Sequence, residues 1–577
     1  MSESFVDVFG VSDDDGSDFE GFAANEISRN DRDDNIKTDR VGMWNPIDDD
    51  STSSEDDPSS SDSDAGANDS DENDNEYDDS ERDADTRTDA WEWSRDLHSF
   101  SARSFSGPPP GPTKKLNEKS TVLDFFYLLF PLTLIQHLVQ ETNRYATQKQ
   151  QIDPDLPQWQ PVSVEEMKCY FGIRLYLSII PLPEMRWLWS ADDVFGHLHI
   201  ARFMTRIRFE EISHNLQANN RTKQLPCEHQ NRDKLHMIRP VLDEVLANCL
   251  QQYNPHQNCS VNEAMIAFRG RYGFRQNIPN VMPDKCGIKV WMRVDSVNGY
   301  CNEFRVYVGK EKKRWHQTGF VGHVVKELTE RLRGRNHVIN LSNSFITADL
   351  FEKLQHEGIL ARGTVHKNSR GLPHAELAKP GLKDPGEYNV VQCGQISAYA
   401  CKDKHVVNLL SSADDPTSEK SFDRKKKDGK KRVVQIPVAL YEYKKFMREV
   451  NQLRVEYPTG RSSQRWWVYI FWFLFDVAIA NAFILWSESE AHRREAGGGH
   501  SNLQTQLEFR KQLAKFLLPN RNVGYENRTG HVLAQRPSRR SCQGCKKERR
   551  RCETKTFCMK CDVVMCSRSF AAYHGWH

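Results

Sequence analysis

Seven sulfur and nitrogen side chains near the C-terminus of this 577-residue chain have the spacing of a metal site. They run Cys542-x2-Cys545-x12-Cys558-x2-Cys561-x4-Cys566-x7-His574-x2-His577. Two Cys-x2-Cys knuckles followed by a His-x2-His pair offer thiolate and imidazole donors to tetrahedral Zn2+. The segment around them is polar and too short for a hydrophobic core, so its folding would need the metal. The expected cofactor is therefore structural Zn2+, one or two ions. Among the ligands stand Arg536, Arg539, Arg540, Lys546, Lys547, Arg549, Arg550, Arg551 and Lys555, opposed by Glu548 and Glu553. Such a cation density makes a phosphate-facing surface.

The rest of the chain must carry that segment, and its charge is divided unevenly. The formal net charge is -1, yet residues 1–90 hold 31 acidic against 6 basic side chains. The remainder holds 49 acidic and 73 basic ones, so an acidic tail of -25 is joined to a basic body of +24. Residues 1–92, rich in Asp, Ser and Asn, lack the apolar surface to fold and read as a disordered tail. That tail could solubilise, mimic nucleic-acid charge or engage protein partners. No apolar run follows the first Met, so the 14 Cys are expected in a reducing compartment, where metal binding outranks disulfides. The apolar stretch Trp466 to Trp486 is long enough to span a bilayer but carries Asp476 and Asn481. It reads as a buried core helix, and no membrane association is expected.

Residues 93–114 read as a linker closed by the proline run at 108–112. Helical periodicity then appears over Thr121 to Gln151, Val164 to Leu182 and Ala201 to Leu216, within a basic helical region spanning 115–255. Residues 256–495 switch to mixed patterning. Gly287 to Val294 and Glu303 to Val308 alternate as strands about an Asn298-Gly299 turn. A strand at 337–341, a helix at 348–356 and a short strand near 363–365 follow, predicting helices packed on a sheet. Residues 414–432 read as a polar loop ending in two basic runs. Helices resume at Val438 to Arg454 and Trp466 to Ser487, residues 496–535 read as a linker, and 536–577 form the Cys/His segment.

Several strings in order resemble the piggyBac-type transposases. They are Glu141-Thr142-Asn143-Arg144-Tyr145-Ala146, Trp187 to Ser190, Arg208-Phe209-Glu210 and Ala267-Phe268-Arg269-Gly270-Arg271. Then come Gly287 to Trp291, Asp295 to Tyr300, Gly363-Thr364-Val365, Arg370-Gly371-Leu372-Pro373 and Asp476 to Ala482. The resemblance covers roughly residues 100–577. It implies a mixed α/β chain: an RNase H-like core of the DDE transposase type, a helical DNA-binding region and a terminal cross-braced zinc domain. It also implies a homodimer, and chemistry at TTAA sites driven by two Mg2+ ions on four aspartates. By that pattern Cys542, Cys545 and Cys566 share one zinc ion, and Cys558, Cys561, His574 and His577 the other. Ser569 occupies the place of the first site's fourth ligand, so either Cys552 supplies it or the site goes without.

The aspartate positions depart from the family. Asn262 stands in the first and Ser342 in the second. The third block, Tyr443 to Arg454, is three residues shorter than the usual pattern and offers Asn451, with Arg448 and Arg454 nearby. Amide and hydroxyl groups bring no charge, so Mg2+ binding is not expected there. Glu263, Asp295, Asp349 and Asp403 are the acids that could restore it. The expected function is that of a domesticated, catalytically inactive, nuclear DNA-binding protein, with the runs 424–432 and 536–551 serving import. The competing expectations are an active transposase with relocated acids and a protein-interaction scaffold.

Overall fold

The computed structural model describes residues 91–577 except 102, 191–195, 227–228, 269–275, 278–285, 310–318, 367–368, 370, 404, 426–430, 448–451, 462, 491, 493–504, 520–532, 548–549, 559–562, 568 and 571–577. The acidic tail, Arg549, Asn451, Cys561, His574 and His577 therefore lie outside the described residues.

Five helices open the ordered body: α1 (Val122–Leu129), α2 (Leu132–Ile152), α3 (Val164–Ile179), α4 (Arg206–Asn215) and α5 (Arg239–Gln252). The single helix expected over 121–151 is two, bent by 65° at Pro131, which has no N–H to continue the ladder. Likewise 201–216 is not continuous. A short turn, Leu198–Ala201, stops before Thr205, whose hydroxyl accepts the Arg208 N–H at 3.2 Å and starts α4. Asn143 of the Asn-Arg-Tyr string braces the α2–α3 loop: its side chain binds Val162 N–H (2.7 Å), Val162 C=O (2.9 Å) and Trp159 Nε1 (3.0 Å).

A nine-stranded sheet lies against these helices. Its strands are β1 (Asn258–Ala267), β2 (Cys286–Asp295), β3 (Cys301–Val306), β4 (Val338–Leu341), β5 (Leu360–Val365), β6 (Tyr388–Cys393), β7 (Ile396–Lys402) and β8 (Val406–Ser411), with the two-residue strand Gln276–Asn277. The order across the sheet is β3-β2-β1-β4-β5-β8-β7-β6. The β2–β3 hairpin turns where expected, with Gly299 at φ +82°. β1, β4 and β5 run parallel, and the remaining neighbours are antiparallel.

The two faces of this sheet belong to different cores. Ala264, Ile266, Val290, Met292 and Val294 join the helical cluster, while Val261, Trp291, Ile339 and Leu341 meet α6 (Gly319–Thr329) and α7 (Ala348–His356). After β8 the expected polar loop is instead a two-stranded ribbon, β9 (Glu419–Lys425) and β10 (Lys431–Pro437). Its root is held by Phe422, Val434 and Ile436 against α8 (Val438–Phe446), while the basic runs hide this short apolar alternation in the sequence. α8 ends at Phe446, short of Arg454.

The apolar helix is α9 (Trp466–Ser487), with its aromatic rings buried among the other helices. Phe475 lies 5.3 Å from Phe130 and from Phe171 and 5.6 Å from Phe126, centroid to centroid. Each such ring contributes about 1.5–3 kcal/mol by burial in this core. The stretch 496–535 contains α10 (Gln506–Leu517), capped by Thr505 and buried through Phe509, Leu513, Ala514 and Leu517. Residues 93–114 are docked as well, since Ser94 bridges Gln392 and Gly111–Pro112 pairs with Tyr253–Asn254. The terminal segment is a small sheet of β11 (Leu533–Ser541), β12 (Glu553–Cys558) and β13 (Val563–Val564).

Candidate catalytic face and cysteine cluster

Asn262 and Ser342 are brought together. The last paired residues of the parallel strands β1 and β4 are Val261 and Leu341, and each departing residue comes next in its chain. Both are half-buried, and they share a face with Ser260 and Asn340, which are paired one step earlier. The end of α8 closes over that face: Ser260 Oγ donates to Phe446 C=O (2.8 Å) and Tyr443 Oη to Leu341 C=O (3.3 Å). The third block thus leaves α8 beside the other two, although Arg448 and Asn451 themselves are outside the described residues. Arg454 turns away, its guanidinium 4.6 Å over the Phe473 ring of α9. Among the described residues, Ser342 Oγ meets another hydroxyl, Ser344 Oγ at 3.3 Å.

The four acids that could restore charge lie elsewhere. Glu263 is adjacent to Asn262 but points to the opposite face, where Lys289 Nζ (3.1 Å) and Trp291 Nε1 (3.3 Å) hold it. Asp295, paired with Cys259, is fully buried on that same opposite side. It accepts the His256 and Val297 backbone N–H groups (2.7 and 2.8 Å) and bonds the His256 ring at Nδ1 (2.9 Å), and this last contact raises the His256 pKa against the lowering effect of burial. Asp349 is exposed in the first turn of α7. Asp403 follows β7, four strands from β1 or ~19 Å across the sheet, and pairs with Lys444 at 3.1 Å.

On the same face, one or two residues back along the strands, lies a charged clamp that pattern reading missed. Arg362 on β5 binds both oxygens of Asp414 (2.7 and 2.8 Å) and reaches Asn340 Oδ1 (3.1 Å) on β4 and Asn258 Oδ1 (3.4 Å) on β1. Ser411 Oγ adds a 2.6 Å bond to Asp414. The pair is almost completely buried, and it ties the three parallel strands that position Asn262 and Ser342. Arg362 and Asp414 are 52 residues apart, so no local motif announces them.

In the terminal segment Cys542, Cys545 and Cys566 converge, with their sulfurs all within 4.8 Å of one another. Cys545 Sγ and Cys566 Sγ are 3.6 Å apart, far beyond a disulfide bond and close to the ~3.8 Å edge of a tetrahedron with Zn–S ~2.3 Å. The Cys566 and Cys545 N–H groups point at Cys542 Sγ (3.2 and 3.5 Å), which favours a thiolate there. This donor set fits a soft or borderline divalent ion such as zinc. Cys558 is buried beside the cluster, and the remaining proposed ligands of the second site are outside the described residues. Arg539, Arg540, Lys546, Lys547, Arg550 and Arg551 are all exposed around it.

Three comparisons agree with this architecture. Residues 121–483 match the family model described as Transposase IS4. The human PiggyBac transposable element-derived protein 5 is 23% identical over 447 residues, covering 73% of this chain and 80% of that protein. The human PiggyBac transposable element-derived protein 3 is 25% identical over 440 residues, 71% and 70% of the two chains. The piggyBac transposase, solved by cryo-electron microscopy in a synaptic complex with hairpin DNA, superimposes with a TM-score of 0.61 at 23% identity, over 80% of this chain and 100% of that one. The chain thus belongs to the transposase family described as Transposase IS4, the family of the piggyBac transposase and of the piggyBac transposable element-derived proteins.

Proposed function

We propose that this chain is a domesticated piggyBac-derived protein that binds double-stranded DNA in the nucleus and does not cut it. One observation carries the reading: Asn262 within β1 and Ser342 just past the end of β4 both follow the last paired residues of these adjacent parallel strands, where a two-metal enzyme would need carboxylates. Two Mg2+ ions require anionic oxygen to stay bound, and an amide and a hydroxyl provide none. Glu263 and Asp295 point the other way and already have partners. An RNase H-like description of the core is supported by the sheet, in which antiparallel β3, β2 and β1 continue into parallel β4 and β5 between two helical layers.

DNA binding is supported by the exposed cations of the terminal segment and by a solved relative held with hairpin DNA. Zinc, bound first by Cys542, Cys545 and Cys566, would fold that segment, with Cys558, Cys561, His574 and His577 taking a second ion. Assembly as a homodimer on DNA and capture of protein partners by the acidic tail complete the proposal. The test is genome-wide mapping of bound chromatin with the full chain. Discrete sites sharing a motif are expected; no enrichment over a charge-matched nuclear control would overturn it.

A further inference from the structure

The cysteine cluster has a fourth corner. Ser569 Oγ lies 3.0 Å from Cys542 Sγ and 3.3 Å from Cys566 Sγ, and its residue is only 2% exposed. An oxygen and a sulfur bound to one tetrahedral zinc ion, with Zn–O ~2.1 Å and Zn–S ~2.3 Å, stand ~3.6 Å apart. The hydroxyl stands about 0.6 and 0.3 Å inside that separation from the two sulfurs, so it faces them from the side where a ligand would sit. Room for it is made by Gly544: a Cβ there would lie 2.5 Å from Ser569 Cβ and 2.6 Å from its Oγ. A glycine between Cys542 and Cys545 thus lets the residue at 569 close over the cluster.

Cys552 is the rival donor. It packs against the cluster and is half-exposed, and its carbonyl accepts the Cys542 N–H at 2.8 Å. Its sulfur, however, is not in the set whose members all lie within 4.8 Å of one another. Its thiol interacts with those of Cys545 and Cys566 and with that of Cys542 without joining that set, whereas the Ser569 hydroxyl contacts two of the three sulfurs directly.

We infer that the Ser569 oxygen is the fourth ligand of the zinc ion held by Cys542, Cys545 and Cys566, and that Cys552 stays outside the coordination shell. This rests on the zinc reading above. On binding, the three thiols lose their protons to solvent while Ser569 keeps its own, so the ion sits in a site of net charge -1. A neutral hydroxyl is a weaker donor to zinc than a thiolate, so this ion exchanges more readily than one held by four sulfurs.

The experiment uses the full chain loaded with zinc, or with Co2+ as a spectroscopic stand-in, and competed against a chromogenic chelator. Cys552→Ser is expected to keep the wild-type zinc content and release profile. Ser569→Cys is expected to hold the more labile ion at least about tenfold more tightly and to add one thiolate to the Co2+ charge-transfer band. Ser569→Ala is expected to loosen that ion while leaving the thiolate band unchanged. Loss of one ion, or of thiolate intensity, in Cys552→Ser would overturn the assignment, as would a Ser569→Cys chain that matches wild type. A wild-type chain that takes up no zinc at all would instead refute the zinc reading itself.

Discussion

Replacing Arg539 and Arg540 by glutamine should change how DNA binding responds to salt, by an amount that follows from counting cations. Six of the exposed basic side chains around the cysteine cluster are the expected phosphate contacts: Arg539, Arg540, Lys546, Lys547, Arg550 and Arg551. If each neutralises one phosphate of a duplex, log K falls with log salt at a slope of about -0.9 per contact, or about -5.4 in all. Between ~50 and ~200 mM salt this segment's affinity then drops roughly 1,800-fold, against roughly 150-fold once two contacts are removed. Both arginines lie on β11, where Arg540 pairs with Thr554, and neither supplies a metal ligand. The substitution should therefore leave the zinc fold intact. Fluorescence anisotropy of a labelled duplex, repeated across that salt range, reads the slope directly. Parallel plots for the wild-type and substituted chains would refute a phosphate-facing role for this surface.

Arg362→Ala should lower stability by about 3–5 kcal/mol, because Asp414 would keep a buried charge without its cation; the shift of the urea midpoint measures it. Gly363→Ala should destabilise by about 1–3 kcal/mol or more, since a Cβ there would lie 2.2 Å from Ile346 Cδ1 and 2.4 Å from the Leu341 carbonyl oxygen. Thermal melting checks this, and an unchanged midpoint would contradict the packing beside Ser342. Burial pushes the Asp476 pKa up to about 6, against the attraction of Arg510 and Arg454 and the Thr459 hydrogen bonds. The folded chain then holds that proton more tightly than the unfolded one, so this contribution is full below pH ~4 and lost as pH rises through about 6. Asp476→Asn should accordingly gain on wild type by up to ~3 kcal/mol between pH 4 and pH 7, and a difference independent of pH would contradict it.

Much of the core was legible because its signals are local. Alternation about Asn298-Gly299 marked the β2–β3 hairpin, and the apolar run with one Asp and one Asn marked α9 as buried helix. The same period of two assigns Asn262 and Glu263 to opposite faces of a strand. Signals that were present but outweighed account for other differences. Pro131 breaks the first long helix, and Thr505 caps α10 just past a glycine run that read as a linker. The β9–β10 ribbon was obscured because Phe422, Val434 and Ile436 anchor only its root, leaving charged residues to dominate the string. The Arg362–Asp414 clamp and the approach of Ser569 to Cys542 depend on tertiary contacts between distant residues, which periodicity cannot encode.

The central proposal is that this chain binds DNA through its exposed cations while the face with Asn262 and Ser342 does not cut it. The most direct measurement is a single reaction containing the full chain, Mg2+ or Mn2+ and a donor duplex flanked by terminal inverted repeats. Bound fraction and strand integrity are read from the same sample. A retained complex with intact strands is expected under both metals, with no change in integrity on Glu263→Gln. Metal-dependent strand cleavage that Glu263→Gln or Asp295→Asn abolishes would contradict it.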